Sequence, residues 1–140
     1  MNETTKSIIK STAPLLKNKG EAITTAMYEH LFSEHPDAKT LFKNATPDQY
    51  VKLANMVYAY AANIDQLDKL KEGIEKVAHI HVETKVLPEH YPWVGASLLS
   101  AIKQVLGEAA TDETMNAWAE AYSFLSSVFI TKEEELSKAS

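Results

Sequence analysis

The residue best placed to do chemistry is His81, because it ends an otherwise apolar helical stripe. Leu67, Leu70, Ile74 and Val77 precede it at steps of three, four and three residues, and His81 follows after four more. The imidazole should therefore face the interior. A buried imidazole needs partners for both ring nitrogens. One way to meet that need is to bind iron through one nitrogen and a polar group through the other. The alternative is that His81 is a core histidine hydrogen bonded to a carbonyl. The spacing alone leaves both readings open.

Tyr28 and Gln49 form a second candidate pair. Tyr28 lies on or beside the apolar face of a helix predicted over residues 21–33, and a buried tyrosine usually finds a hydrogen-bond partner for its hydroxyl. A packed core tyrosine would look the same in the sequence. Gln49 follows Thr46 and Pro47 at the spacing of a capping box, so its amide has a structural role that competes with a functional one.

An acidic run near the C-terminus offers carboxylates but no spacing that selects one of them. Glu133, Glu134 and Glu135 are consecutive, and such a run is typical of a solvated face. Glu135 lies six residues after Phe129, which is not core spacing. The sequence contains no H-E-x-x-H motif, phosphate loop or catalytic Ser/His/Asp set.

The elements that must position these residues are all predicted to be helices. Apolar residues recur at helical spacing over 4–17, 21–33, a short turn at 36–42, a helix from Thr46 through Ile64, one ending near His81, 88–106, and one from about 111 onward. Gly20 predicts a turn between the first two helices. No strand-length alternation occurs. The pattern indicates a compact all-α fold of six substantial helices and one short one.

Composition narrows the function classes. A length of 140 residues predicts a single domain over 1–140. Cysteine is absent, which excludes disulfides, zinc–thiolate sites and haem attached through C-x-x-C-H. The net charge of −5 argues against nucleic acid as a partner. No apolar run is long enough for a membrane span, and no signal peptide is recognisable, so a cytoplasmic location is expected.

Taken in order, the conspicuous residues resemble those of one family, the bacterial single-domain haemoglobins and the globin domain of flavohaemoglobins. The resemblance runs from about Ile9 to Leu136. The matching pieces are Pro14-Leu15-Leu16, Tyr28, Pro36 with Leu41-Phe42, Gln49, Asn63-Ile64-Asp65, Val77-Ala78 with His81, His90-Tyr91-Pro92 with Val94-Gly95, Leu98-Leu99, Ala117-Trp118 with Ala121-Tyr122, and Val128-Phe129-Ile130. No single piece is decisive, and their order and spacing carry the likeness.

The resemblance implies a globin fold, a 3-on-3 helical sandwich around noncovalent haem b, and a set of site residues. His81 matches the iron ligand, and Tyr91 and Glu135 match the pair that hydrogen bonds the other nitrogen of that histidine. Tyr28 and Gln49 match the two residues that donate to bound dioxygen.

The resemblance also implies the apolar part of the pocket. Leu53 matches a leucine one turn after the glutamine that Gln49 matches, on the distal side of the haem, where the gas ligand binds. Phe42 matches a phenylalanine that packs against the porphyrin. Val57 and Val94 match two further apolar pocket positions.

The function implied by the resemblance is reversible dioxygen binding, with oxygen transport or nitric oxide detoxification as its use. Reaction with nitric oxide to give nitrate would make the protein a nitric oxide dioxygenase that depends on a separate reductase. Carbon monoxide and cyanide are expected as further ligands. Two alternatives remain at this point. One is a haem-based gas sensor or electron carrier without turnover, and the other is a haem-free helical interaction module.

Overall fold

The computed structural model describes residues 1–42, 48–84, 86 and 88–139, and these residues are helical with no strand among them. The α-helices in this part of the chain are α1 Glu3–Glu34, α2 Asp48–Ala62, α3 Lys71–Glu83, α4 His90–Leu106 and α5 Asp112–Ala139. Short 3-10 turns cover Pro36–Phe42, Leu67–Leu70 and Gly107–Ala109. The all-α prediction is confirmed.

Helix α1 corrects the predicted division of the N-terminal region. It runs without a break from Glu3 to Glu34 and includes Pro14, so the turn predicted at Gly20 is wrong. Gly20 is buried in the helix against α2, and a Cβ on it would lie 3.0 Å from the Cβ of Ala54. The glycine therefore permits close approach of two helices, which is a packing role that a single sequence cannot distinguish from a turn.

The start of α2 bears on Gln49. The predicted capping box begins at Thr46 and Pro47, which lie outside the described residues. Among the described residues α2 begins at Asp48, so Gln49 occupies its first turn.

The larger apolar core lies where α1 packs against α2 and α4. Its largest fully buried apolar side chains are Ile9, Leu16, Ile23, Met27, Leu31, Ile64, Ile102 and Trp118. Each such burial stabilises the fold by roughly 1.5–3 kcal/mol. The indole of Trp118 on α5 donates to the hydroxyl of Thr12 on α1 at 3.2 Å, so the one polar atom of that ring is satisfied inside the core.

A second, smaller core lies between α3 and α5 and includes Tyr91 from the start of α4. Ala78, Tyr91 and Phe129 are its buried members, with Ile74 and Val77 packed beside them. Helix α3 therefore packs mainly on α5, whereas α2 packs mainly on α1. No described helix is both long and apolar enough to cross a bilayer.

Candidate functional site

The side chains of His81, Tyr91 and Glu133 form a closed triangle of hydrogen bonds. Nδ1 of His81 lies 3.0 Å from Oε2 of Glu133 and 3.1 Å from the hydroxyl oxygen of Tyr91. The Tyr91 hydroxyl donates to the same Oε2 at 2.6 Å. The imidazole also packs on the ring of Phe129, with centroids 5.5 Å apart. Three helices, α3, α4 and α5, thus converge on one imidazole.

The triangle determines which nitrogen of His81 carries the proton. An ionised carboxylate only accepts, so Nδ1 is the N–H donor, and a neutral imidazole then has its lone pair on Nε2. Both hydrogen bonds made by the ring to described residues use Nδ1. The arrangement leaves Nε2 available as a ligand to a metal, held in a fixed direction by a carboxylate behind it.

The carboxylate in this triangle corrects the sequence interpretation, which selected Glu135. Glu135 is 65 % exposed and lies 3.9 Å from the ammonium of Lys132, whereas Glu133 is buried. The reason is the period of α5. Phe129 faces α3, and Glu133 follows it by four residues on the same face, while Glu135 follows by six and points elsewhere. The prediction of a solvated Glu133 is wrong for the same reason.

Tyr91 is held in place from behind by α5. The hydroxyl of Tyr122 donates to the carbonyl of Tyr91 at 2.7 Å. Gly95, one turn after Tyr91, makes room for the ring of Tyr122, since a Cβ on Gly95 would come within 2.6 Å of that ring. Burial, and then the hydrogen bond and charge of Glu133, raise the pKa of Tyr91 well above its usual range. Tyr91 therefore stays a neutral donor at any physiological pH.

A second polar group gathers Tyr28 and Gln49. Tyr28 is 2 % exposed. Burial raises the pKa of Tyr28 to about 12, a hydrogen bond from the side chain of Gln49 opposes that rise, and the neighbouring Tyr50 adds to it. The Tyr28 hydroxyl and the Gln49 side chain therefore lie within hydrogen-bond reach of each other.

Aromatic rings enclose Tyr28. Tyr50 stacks on it with centroids 4.7 Å apart, and Phe32 does so at 5.7 Å. Phe42 meets it edge-on at 5.1 Å. The structure thus brings Tyr28, Gln49 and Phe42 together and places Tyr50 beside them.

The remaining predicted pocket residues lie at the edge of the larger core. Leu53 and Val57 follow Gln49 along α2 at four-residue steps, and Val94 lies on α4; all three are half-buried and pack against that core. His81 and Tyr91 contact the smaller core instead. The His81 group therefore lies at the smaller core and the Tyr28 group at the larger one, with partly buried apolar side chains packed beside each.

Sequence reasoning missed three contributors to this site. Glu133 could have been found from its four-residue step after Phe129. Gly95 and Tyr122 were part of the resemblance but received no role, because their contact joins two helices and leaves no local pattern.

Comparison with known proteins identifies the family. The family model described as Globin matches residues 25–129. A globin-like protein of Aquifex aeolicus is 48% identical over 136 residues, covering 97% of this chain and 96% of that one. The chain therefore belongs to the globin family, which confirms both the resemblance and the fold expected from it.

Two further relatives place the chain among bacterial globins. A flavohaemoprotein of Oceanobacillus iheyensis is 44% identical over 139 residues, which are 97% of this chain and 34% of that protein. The chain thus spans about a third of the length of the flavohaemoprotein relatives. A solved structure of an engineered carbene transferase, a proposed nitric oxide dioxygenase from Rhodothermus marinus, has a TM-score of 0.94 at 35% identity and covers 99% of this chain and 97% of its own.

Proposed function

We propose that the chain is a haem b globin in which Nε2 of His81 is the axial ligand to iron. The observation that carries this proposal is the fixed imidazole, whose Nδ1 lies within hydrogen-bond distance of both Glu133 and Tyr91, so that Nε2 is the nitrogen free to bind a metal. A histidine bound to a metal characteristically has its second nitrogen tied to a carboxylate in this way. Membership of the globin family supports the same assignment.

The residues present fit a haem on chemical grounds. An imidazole is a common axial ligand to haem iron, and half-buried apolar side chains accompany it on α3. Leu53 and Val57 on α2 supply apolar surface beside the Tyr28 group. A porphyrin is a broad apolar ring that such side chains can cover. We propose that Phe42 and Val94 also contact it.

The proximal residues would tune the iron through the imidazole. Glu133 accepts from Nδ1 and makes the imidazole a stronger electron donor, and Tyr91 holds the carboxylate at 2.6 Å so that it cannot rotate away. Tyr122 holds the main chain of Tyr91. Each of these groups acts on the iron only through His81.

The distal residues would recognise a polar gas ligand. Because its pKa is about 12, Tyr28 is neutral at physiological pH and has a proton to donate. We assign Gln49 as a donor to the Tyr28 oxygen, an arrangement that would strengthen Tyr28 as a donor to the gas ligand. Dioxygen gains more from such a donor than carbon monoxide does, since it takes more negative charge from iron.

The proposed activity is conversion of nitric oxide and dioxygen to nitrate. When bound, haem supplies an iron that binds dioxygen and allows its reaction with nitric oxide. The balanced conversion joins one nitric oxide, one dioxygen and one electron into one nitrate, so each turnover consumes an electron, which we assign to a reductase. The likeness to the Rhodothermus protein, itself a proposed nitric oxide dioxygenase, supports this activity.

The test is nitrate yield. Purified protein is reduced, equilibrated with dioxygen and mixed with one equivalent of nitric oxide, and nitrate is measured with the haem spectrum. The proposal expects about one nitrate per haem, and continued turnover when a reductant is supplied. A stable nitric oxide adduct without nitrate would contradict it and would favour a gas sensor or electron carrier.

Replacing Glu133 with glutamine is expected to raise the haem reduction potential and to lower the frequency of the ferrous iron–histidine stretch. The neutral amide accepts more weakly from Nδ1, so the imidazole donates less to iron. The rise should be on the order of tens of millivolts, because about 1 kcal/mol corresponds to roughly 40 mV in a one-electron couple. Redox titration and resonance Raman spectroscopy measure the two effects.

Glu135→Gln is the matched control for this prediction. Glu135 is two residues away, carries the same charge and lies on the exposed side of α5. It should change neither the potential nor the iron–histidine band. Equal shifts in both variants would indicate a general charge effect, and a shift in Glu135→Gln alone would reverse the assignment of the proximal carboxylate.

A further inference from the structure

Helices α1 and α2 meet along a ladder of contacts with a four-residue step on each helix. Gly20 on α1 lies against Ala54 on α2, so closely that a Cβ on the glycine would be 3.0 Å from that of the alanine. One turn later on α1 and one turn earlier on α2, the hydroxyl of Thr24 donates to the carbonyl of Tyr50 at 3.0 Å. A further turn along α1 brings Tyr28, whose ring stacks on that of Tyr50.

The Thr24–Tyr50 bond ties the first turn of α2 to α1. Thr24 is 1 % exposed, so its hydroxyl needs a partner inside the protein. The same hydroxyl lies 3.2 Å from the carbonyl of Glu21 within its own helix, and the shorter contact is the one that crosses to α2. Because Gln49 immediately precedes Tyr50, this bond also restrains the backbone from which the Gln49 side chain extends.

The ring of Tyr50 restrains the ring of Tyr28. The two are nearly parallel, 21° apart, with centroids at 4.7 Å. Phe42 closes on the same ring from its edge at 5.1 Å. A phenol confined in this way cannot tilt freely, so the direction of its hydroxyl is determined by its neighbours.

We propose that Thr24 and Tyr50 are positioning residues for Tyr28 and Gln49, and that through them they set the preference of the site for dioxygen over carbon monoxide. Neither side chain needs to touch the ligand. Thr24 fixes the position of the first turn of α2 on α1. Tyr50, held in that turn, then fixes the orientation of the Tyr28 ring by stacking on it. This inference rests on the proposed function, and its first test needs no haem activity.

The first test is the position of the Tyr28 ring signal in NMR spectra of the purified chain labelled with ¹³C-tyrosine. The signal is assigned by its loss in Tyr28→Phe. Tyr50→Leu removes the stacked ring and should remove its contribution to the ring-current shift of the Tyr28 signal, whereas Tyr50→Phe keeps a ring there and should preserve most of that contribution. Thr24→Val removes the hydroxyl at similar volume and should move the signal, and Thr24→Ser should restore it.

The second test is the ratio of the dioxygen and carbon monoxide dissociation rates in the same variants. Tyr50→Leu and Thr24→Val should release dioxygen about fivefold faster, the change that about 1 kcal/mol of weakened hydrogen bonding produces, with little change for carbon monoxide. Tyr50→Phe and Thr24→Ser should stay near the wild-type ratio. Loss of stability alone would lower the melting temperature without changing this ratio.

The outcomes separate this inference from the proposed function. If Tyr28→Phe changes the ratio while Tyr50→Leu and Thr24→Val leave both the ratio and the Tyr28 signal unchanged, the positioning role is wrong and the distal site stands. If Tyr28→Phe leaves the ratio unchanged, the assigned role of Tyr28 in dioxygen binding fails. The NMR shifts then decide alone whether Thr24 and Tyr50 position that ring, and an unmoved signal overturns the inference.

Discussion

Replacing His81 with alanine is expected to leave a folded chain that loses haem rapidly. Substitution of the partners behind a metal-bound histidine typically costs 10–100-fold in metal affinity, so removing the ligand itself should accelerate haem loss by at least about 100-fold. The rate is measured by transfer of haem to excess apomyoglobin. The ferrous absorption spectrum should also lose the features of histidine ligation.

His79→Ala is the control for the His81 substitution. His79 is on the same helix, two residues away and exposed, so it tests for a general effect of losing an imidazole from α3. It should retain haem at the wild-type rate. Wild-type retention and an unchanged ferrous spectrum in His81→Ala would show that another residue binds the iron.

The second large effect is expected in Tyr28→Phe. Loss of a hydrogen bond to a charged or strongly polar ligand costs about 1.5–3 kcal/mol, which corresponds to roughly ten- to a hundredfold faster dioxygen dissociation. Carbon monoxide dissociation should change little. Since the pKa of Tyr28 is about 12, the wild-type dioxygen rate should stay constant from neutral pH to about pH 10. Stopped-flow spectroscopy measures the dioxygen and carbon monoxide dissociation rates and the pH dependence of the wild-type dioxygen rate.

Tyr60→Phe is a suitable control for Tyr28→Phe. Tyr60 is also buried, and its hydroxyl donates to the carbonyl of Ala121 at 2.6 Å, away from the Tyr28 group. Its loss should reduce stability by about 1 kcal/mol or more and leave both gas dissociation rates unchanged. If the two substitutions alter dioxygen release equally, Tyr28 has no specific contact with the ligand.

Gln49 is expected to act in the same direction as Tyr28 but more weakly. Gln49→Leu removes the bond to the Tyr28 oxygen and should speed dioxygen release by a few-fold, since a neutral hydrogen bond contributes about 0.5–1.5 kcal/mol. The capping interpretation predicts instead a loss of thermal stability with unchanged dioxygen kinetics. Thermal unfolding and stopped-flow measurements on one variant therefore distinguish the two roles.

Much of the fold could be predicted from the sequence because the buried face of an amphipathic helix is marked by apolar residues that recur every three or four positions. The apolar stripe that ends at His81 follows this helical spacing. In the structure the His81 imidazole lies within hydrogen-bond distance of Tyr91 and Glu133. The break predicted at Gly20 failed because a glycine that admits a neighbouring helix looks like one that makes a turn. Only the presence of Ala54 against it distinguishes the two.

The site could be predicted less completely because its contacts join residues far apart in the chain. His81 and Glu133 are 52 residues apart, and Thr24 and Tyr50 are 26 apart. No local pattern records such pairs. Composition could not choose among three consecutive glutamates, and the family likeness, counted along the sequence, selected Glu135. The four-residue step from Phe129 selects Glu133, which is the buried one of the two, over the exposed Glu135.

The most direct test of the central claim is a haem titration of the purified chain followed by absorption spectroscopy. If Nε2 of His81 binds haem iron, the chain should take up one haem, saturate, and give in its reduced, carbon monoxide-bound form the Soret band of a histidine-ligated globin. Binding that does not saturate, or a spectrum without histidine ligation, would contradict the claim that this chain is a haem globin centred on His81.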